Sequence, residues 1–107
     1  MNHKDFGLSL EDIQEIRRIL SKYPQITKSL IYGSRARGDF NQGSDVDIAV
    51  YYDESFDDLW KISSELNEET LMPYHFDVVD YNKINNIVLK EQIDKYGRVI
   101  YISNCSI

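Results

Sequence analysis

The residues with the most chemistry to offer lie between Leu30 and Val50 in the run LIYGSRARGDFNQGSDVDIAV. Gly33-Ser34 ends a short apolar stretch, and a tight turn there lets backbone N–H groups and a hydroxyl face an anion. Arg35 and Arg37 follow directly. Ten residues separate Ser34 from Asp45, which opens the pattern Asp45-Val46-Asp47. Two carboxylates this close repel unless a cation lies between them, and hard oxygen ligands suit Mg²⁺ carrying the phosphates of a nucleotide. A third carboxylate is available in Phe76-Asp77-Val78-Val79-Asp80.

The elements that must position these groups can be read from the neighbouring residues. Leu30, Ile31 and Tyr32 predict a strand that stops at Gly33, and Val46, Ile48 and Val50 predict a second strand, Asp45–Tyr52. Side chains alternate along a strand, so Asp45 and Asp47 project from one face. Phe76–Val79 reads as a third strand able to pair beside the second and aim Asp77 at the same cation. Asp77 is preferred over Asp80 because it lies within the apolar run, whereas Asp80 is placed to end the strand and cap the next turn. Arg35-Ala36-Arg37 can form a helical turn ended by Gly38. Residues two apart on a helix diverge, so at most one arginine is expected at phosphate. Asp39–Ser44 is polar and contains glycine, hence a loop.

With strand, Gly-Ser turn, gap, Asp-x-Asp and third strand aspartate on one chain, the sequence resembles the nucleotidyltransferase superfamily of DNA polymerase β. Within it the likeness is closest to the minimal nucleotidyltransferases, the MntA-type antitoxins paired with HEPN-domain HepT toxins. It spans nearly the whole chain, from the leading helix to GRVIY. The resemblance implies an α/β (α+β) fold with a small mixed sheet of about four strands flanked by helices. It implies AMP transfer from ATP, with Mg²⁺, to a tyrosine of a HEPN-family ribonuclease toxin, and a hetero-oligomer with that toxin. Asp45, Asp47 and Asp77 match the catalytic, metal-binding carboxylates, and Gly33 and Ser34 match the triphosphate turn. Arg35, Arg37 and Ser44 are counted on the nucleotide side. The alternatives are an antitoxin that binds nucleotide but inhibits by complex formation alone, and a transferase acting on a small molecule.

Composition limits the rest. A chain of 107 residues can hold one core, so residues 1–107 are expected to form a single nucleotidyltransferase domain without an added acceptor-binding domain. A net charge of −6 argues against a general nucleic-acid surface. Residues 45–80 hold one basic and eleven acidic side chains, most simply a solvated acidic helix face near Asp57, Asp58, Glu65, Glu68 and Glu69. The single cysteine, Cys105, forms no internal disulfide and fits a reducing compartment. The start MNHKDFGLSL lacks the basic beginning and apolar core of a signal peptide, and no run approaches a membrane span, so a soluble, cytoplasmic protein is expected.

Elsewhere the periodicity predicts a helix over 10–22 opened by a Ser9/Asp12 capping box, and a first strand at about Lys28–Tyr32. A helix capped at Ser55 is expected to bury Phe56, Leu59, Trp60, Ser63 and Leu66 and to close at Met72-Pro73. A last helix is expected over 82–96, with Gly97 left-handed, then a strand Arg98–Ile102 and a frayed SNCSI tail. His75 stands two residues before Asp77 without a second histidine or a cysteine nearby, which disfavours a transition-metal site. Tyr51 and Tyr52 are expected on opposite faces of their strand, and self-modification of a tyrosine is a minor reading.

Overall fold

The computed structural model describes residues 4–103; of the expected SNCSI tail only Ser103 is among them, its N–H donating to the Thr27 carbonyl at 2.9 Å, and Cys105 lies outside. The chain begins with a hairpin, β1 (Lys4–Asp5) and β2 (Leu8–Ser9), paired Lys4 to Ser9 and Asp5 to Leu8. Its two turn residues, Phe6 and Gly7, both have positive φ, 61° and 73°, the backbone of a two-residue turn that matches strand twist. The hairpin runs straight into α1 (Leu10–Leu20). The expected capping box is present: the Asp12 N–H donates to the Ser9 hydroxyl and the Ser9 N–H donates to the Asp12 carboxylate, each at 3.1 Å.

Four strands form the main sheet: β3 (Ile26–Tyr32), β4 (Val46–Tyr52), β5 (Phe76–Asp80) and β6 (Arg98–Ile102). Their order is β5-β4-β3-β6. Only β4 and β5 run parallel, joined through α3 (Leu59–Glu68), and the other pairs are antiparallel, so the sheet is mixed. A one-turn helix, α2 (Ser34–Arg37), follows β3, and α4 (Ile87–Tyr96) precedes β6. This is the small mixed sheet flanked by helices that the sequence led us to expect.

The two sheet faces are covered unequally. On one, Ile31, Ile48 and Phe76 pack with Ile13, Ile16 and Ile19 of α1 and with Ile62 and Leu66 of α3 in the main core. On the other, Leu30, Tyr32 and Ala49 form a smaller cluster with Ile93 of α4. The alternation of β4 explains the division: Val46, Ile48 and Val50 serve the main core, while Asp47, Ala49 and Tyr51 face the other way. Among the described residues no helix is long and apolar enough to cross a membrane.

Several boundaries differ from expectation for local reasons. α3 starts at Leu59 behind Asp58, not behind Ser55, and its buried stripe is Ile62 and Leu66. Trp60 falls off that stripe and is 65% exposed, so it is not the packing residue anticipated, and the helix ends at Glu68, before Met72-Pro73. Phe56 is buried from the preceding loop, against the rings of Tyr23 and Tyr52. The last helix begins at Ile87 because the Asn86 side chain caps it, accepting the Leu89 N–H at 3.2 Å; a 3₁₀ turn occupies 81–83. Gly97 is not left-handed, with φ −59° and ψ 140°. It is small for another reason: a Cβ there would stand 2.5 Å from the Ile93 carbonyl oxygen and 2.8 Å from Leu30 Cδ1.

Candidate active site

The end of β3 creates the site. Gly33 has φ 75° and ψ −154°, a backbone that L side chains rarely adopt, and a Cβ there would run into Asp47 Oδ2. The glycine thus lets the turn close over a β4 carboxylate. Beyond it, the Arg37 N–H donates to the Gly33 carbonyl and the Gly38 N–H to that of Ser34, which leaves the N–H groups of Ser34, Arg35 and Ala36 without intrahelical acceptors. Gly38, with φ 95°, ends α2 in the left-handed conformation.

Strand register brings the acids together. Tyr32 pairs with Asp47 across β3 and β4, and Asp47 pairs with Asp77 across β4 and β5. Partners directly opposite each other point to the same face, and neighbouring strands lie about 4.8 Å apart. Asp45, two residues before Asp47, precedes β4 on the same side, and the Val46 N–H donates to the His75 carbonyl at 2.9 Å, tying the two strand starts together. Asp80 pairs with Val50, hence on the opposite face. Its side chain is 10% exposed and accepts the Tyr52 hydroxyl at 2.9 Å, and it provides no side-chain cap to the 3₁₀ turn at 81–83, contrary to expectation.

The electrostatics arise from this crowding. Burial, then the neighbouring carboxylates of Asp77 and Asp45, push the Asp47 carboxyl up to about 6 from its ordinary 3.8, against the pull of Arg37 and His75. Burial, then Asp47 and Asp77, likewise raise the Tyr32 hydroxyl. His75 Nδ1 stands 3.6 Å from Asp45 Oδ1, both side chains being largely exposed. Among the described residues no group of three or more acidic, histidine or cysteine side chains stands close enough together to hold a metal ion as the side chains lie. The donor types still suit a hard divalent cation: three carboxylate groups at neighbouring strand ends, one of them raised by burial and by the other two.

Comparison with known proteins gives this geometry its family. The sequence profile of the family described as polymerase beta, nucleotidyltransferase matches residues 14–105. The chain belongs to the polymerase β nucleotidyltransferase family. Among relatives of this nucleotidyltransferase is the protein adenylyltransferase MntA of Aphanizomenon flos-aquae, 27% identical over 125 residues, covering 92% of this chain and 83% of that protein. MJ1217 of Methanocaldococcus jannaschii, provisionally named a protein adenylyltransferase, is 31% identical over 100 residues, covering 87% of this chain and 100% of that one. The fold also matches a solved structure of a tri-AMPylated Shewanella oneidensis HEPN toxin in complex with MNT antitoxin. There the TM-score is 0.67 at 21% identity, covering 87% of this chain and 71% of that one.

Within this candidate site, not every residue anticipated on the nucleotide side is free to act there. Arg35 is 2% exposed. Its Nε and Nη2 donate to the Ser44 carbonyl at 3.2 and 2.9 Å, its Nη1 donates to the Phe6 carbonyl at 2.8 Å, and its guanidinium lies over the rings of Phe40 and Tyr74. It is therefore corrected from a phosphate contact to a buried brace. Ser44 is likewise engaged in its loop, its hydroxyl accepting the Asn41 N–H at 3.0 Å. Arg37 remains on the side of the acids, paired with Asp39 at 3.3 Å and close enough to lower Asp47. Sequence reasoning missed Tyr32 as a neighbour of the carboxylates. The signal was available: an antiparallel pairing of the two strands across the Gly-Ser turn puts the residue before Gly33 opposite an aspartate.

Proposed function

We propose that this nucleotidyltransferase is a cytoplasmic protein adenylyltransferase antitoxin, one domain over residues 1–107, that transfers AMP from ATP to a tyrosine of a HEPN-domain toxin and so neutralises it. The observation that carries the reading is the register that sets Asp77 beside Asp47 under the Gly33-Ser34 turn. The adenylyltransferase activity named for MntA of Aphanizomenon flos-aquae and the AMPylated toxin of the Shewanella oneidensis complex supply the donor group and the acceptor class. A solved toxin–antitoxin structure with AMP-PNP, matched at TM-score 0.67 and 23% identity over 88% of this chain and 73% of that one, adds the nucleotide class.

In this account the tyrosine oxygen attacks the α-phosphorus, the bond from that phosphorus to the bridging oxygen breaks, and diphosphate leaves. Asp45, Asp47 and Asp77 would hold Mg²⁺, which supplies charge neutralisation for the triphosphate and the departing diphosphate. The free N–H groups and hydroxyl at Ser34 hold the outer phosphates. Asp77, exposed at the edge of the set, takes the proton of the attacking hydroxyl. The acceptor docks as part of a partner chain, and the rate comes mainly from placing its hydroxyl in line and neutralising charge. The test is diphosphate release when the protein, ATP and Mg²⁺ are mixed with a HEPN-domain chain from the same genome. Release that stops when the acceptor tyrosine is replaced by phenylalanine is expected. Neutralisation of the toxin with no diphosphate formed would mean inhibition by binding alone.

A further inference from the structure

Arg35 is a buried cation that, among the described residues, forms no ion pair. A charge taken out of water without an opposite charge is costly, so the donors it spends on carbonyls and the rings beside it must hold it in place. Those contacts gather specific parts of the fold. The Ser44 carbonyl that receives both Nε and Nη2 belongs to the residue before Asp45. The Tyr74 ring, 5.0 Å from the guanidinium, belongs to the residue before His75, and the Tyr74 hydroxyl donates to Asp12 of the α1 cap. The Phe6 carbonyl belongs to the turn of the N-terminal hairpin. One planar fork therefore grips the approach to β4, the approach to β5 and the hairpin, while its own backbone sits in α2 beside Ser34. The Val46 N–H bond to the His75 carbonyl stitches the same two strand starts from the other side.

We propose that Arg35 is the positioning residue of the site: through the Ser44 carbonyl and the Tyr74 ring it fixes the strand starts from which Asp45 and Asp77 project, relative to the Gly33-Ser34 turn. It touches no reacting group. Removing it leaves every carboxylate and the Ser34 hydroxyl in the chain but frees the backbone that aims them. Lysine cannot replace it, because a single ammonium cannot reach the Ser44 and Phe6 carbonyls at once while lying flat against two rings. A cavity of about 480 Å³ borders the guanidinium, lined by Gly7, Phe40, Gln42, Pro73 and Tyr74, so a free guanidinium ion has a way to the position that a truncated side chain would vacate.

The kinetic arm of the test rests on the transferase reading above, and the structural arm does not. Amide hydrogen exchange is measured on the full-length parent, Arg35→Ala and Arg35→Lys, with and without guanidinium chloride at a concentration too low to denature, and AMP transfer to the HEPN-type partner is measured alongside. Expected are faster exchange over 40–47 and 74–77 in both variants, with α1 and α3 protected as in the parent. The kcat of transfer falls by about 10- to 100-fold with little change in KM for ATP, as is usual when the support of a metal ligand is lost. Guanidinium slows exchange and restores part of kcat in Arg35→Ala, and does neither in the parent. Parent-like exchange in both segments would overturn the proposal whether or not the parent transfers AMP. So would a variant whose KM for ATP rises while kcat stays, since that is the behaviour of a phosphate contact. If Arg35→Ala does not fold, Arg35→Lys carries both readouts.

Discussion

At the scale of single residues, Asp47 is where charge repulsion is concentrated. Its carboxyl is raised from 3.8 to about 6 by burial and by its acidic neighbours, so between those pH values the folded chain binds more protons than the unfolded one. Stability from this group is therefore complete below about pH 3.8 and falls as pH rises through 6. Asp47→Asn should then stabilise the metal-free protein at pH 8 by on the order of 1 kcal/mol, allowing for solvent screening of a half-buried group, with no difference below pH 4. Thermal melts across pH check this, and an Asn variant less stable than the parent at pH 8 would contradict it. The same substitution should cost transfer at least about 100-fold, because in the proposed mechanism Asp47 is itself one of the residues that would hold the cation rather than a support for one. Asp77 and Asp80 separate by face. Asp77→Asn is expected to lose transfer and keep stability, while Asp80→Ala keeps transfer within a few fold and loses about 1 to 2 kcal/mol with its Tyr52 hydrogen bond. The sequence allowed Asp77 to be preferred, since alternation and the apolar run around it were visible. It did not reveal the burial of Arg35, because the carbonyls that receive the guanidinium come from Phe6 and Ser44, distant in sequence and unmarked by residue type.

At the scale of elements, the features that could be read and those that could not divide along the range of the interaction. The α1 cap and the α2 stop at Gly38 depend on residues within four positions, and both were legible. The alternation of β4 was legible too, because Val46, Ile48 and Val50 mark the buried face without help from other strands. The hairpin at Phe6-Gly7 was hidden, since phenylalanine is not a residue that signals a left-handed turn. Trp60 was misplaced because Phe56 was counted in the helical stripe; Phe56 lies in the loop before α3, the buried positions of the helix are Ile62 and Leu66, and the indole falls off their stripe. Gly97 was identified as the residue after the last helix, but its reason is tertiary: Leu30 of β3 and the Ile93 carbonyl leave no room for a Cβ. Gly97→Ala is accordingly expected to destabilise by about 1 to 3 kcal/mol, the cost of overpacking. Denaturant unfolding gives the value, and a change below a few tenths of a kcal/mol would mean that α4 shifts freely to make space.

At the scale of the whole molecule, the sheet places its apolar alternation under α1 and α3 and turns the other alternation, with the acids, toward the face that α4 covers only in part. That arrangement leaves an acidic, open strand end with a Gly-Ser turn beside it, accessible to a large acceptor. In the proposed reading the acceptor that reaches this strand end is a tyrosine carried by a partner chain. The most direct test is the intact mass of the HEPN-type partner after incubation with ATP, Mg²⁺ and either the parent chain or Asp45→Asn/Asp47→Asn. The account predicts a partner heavier by one or more AMP units with the parent and unchanged with the double variant. An unchanged partner mass in both cases, with the toxin still neutralised, would contradict it.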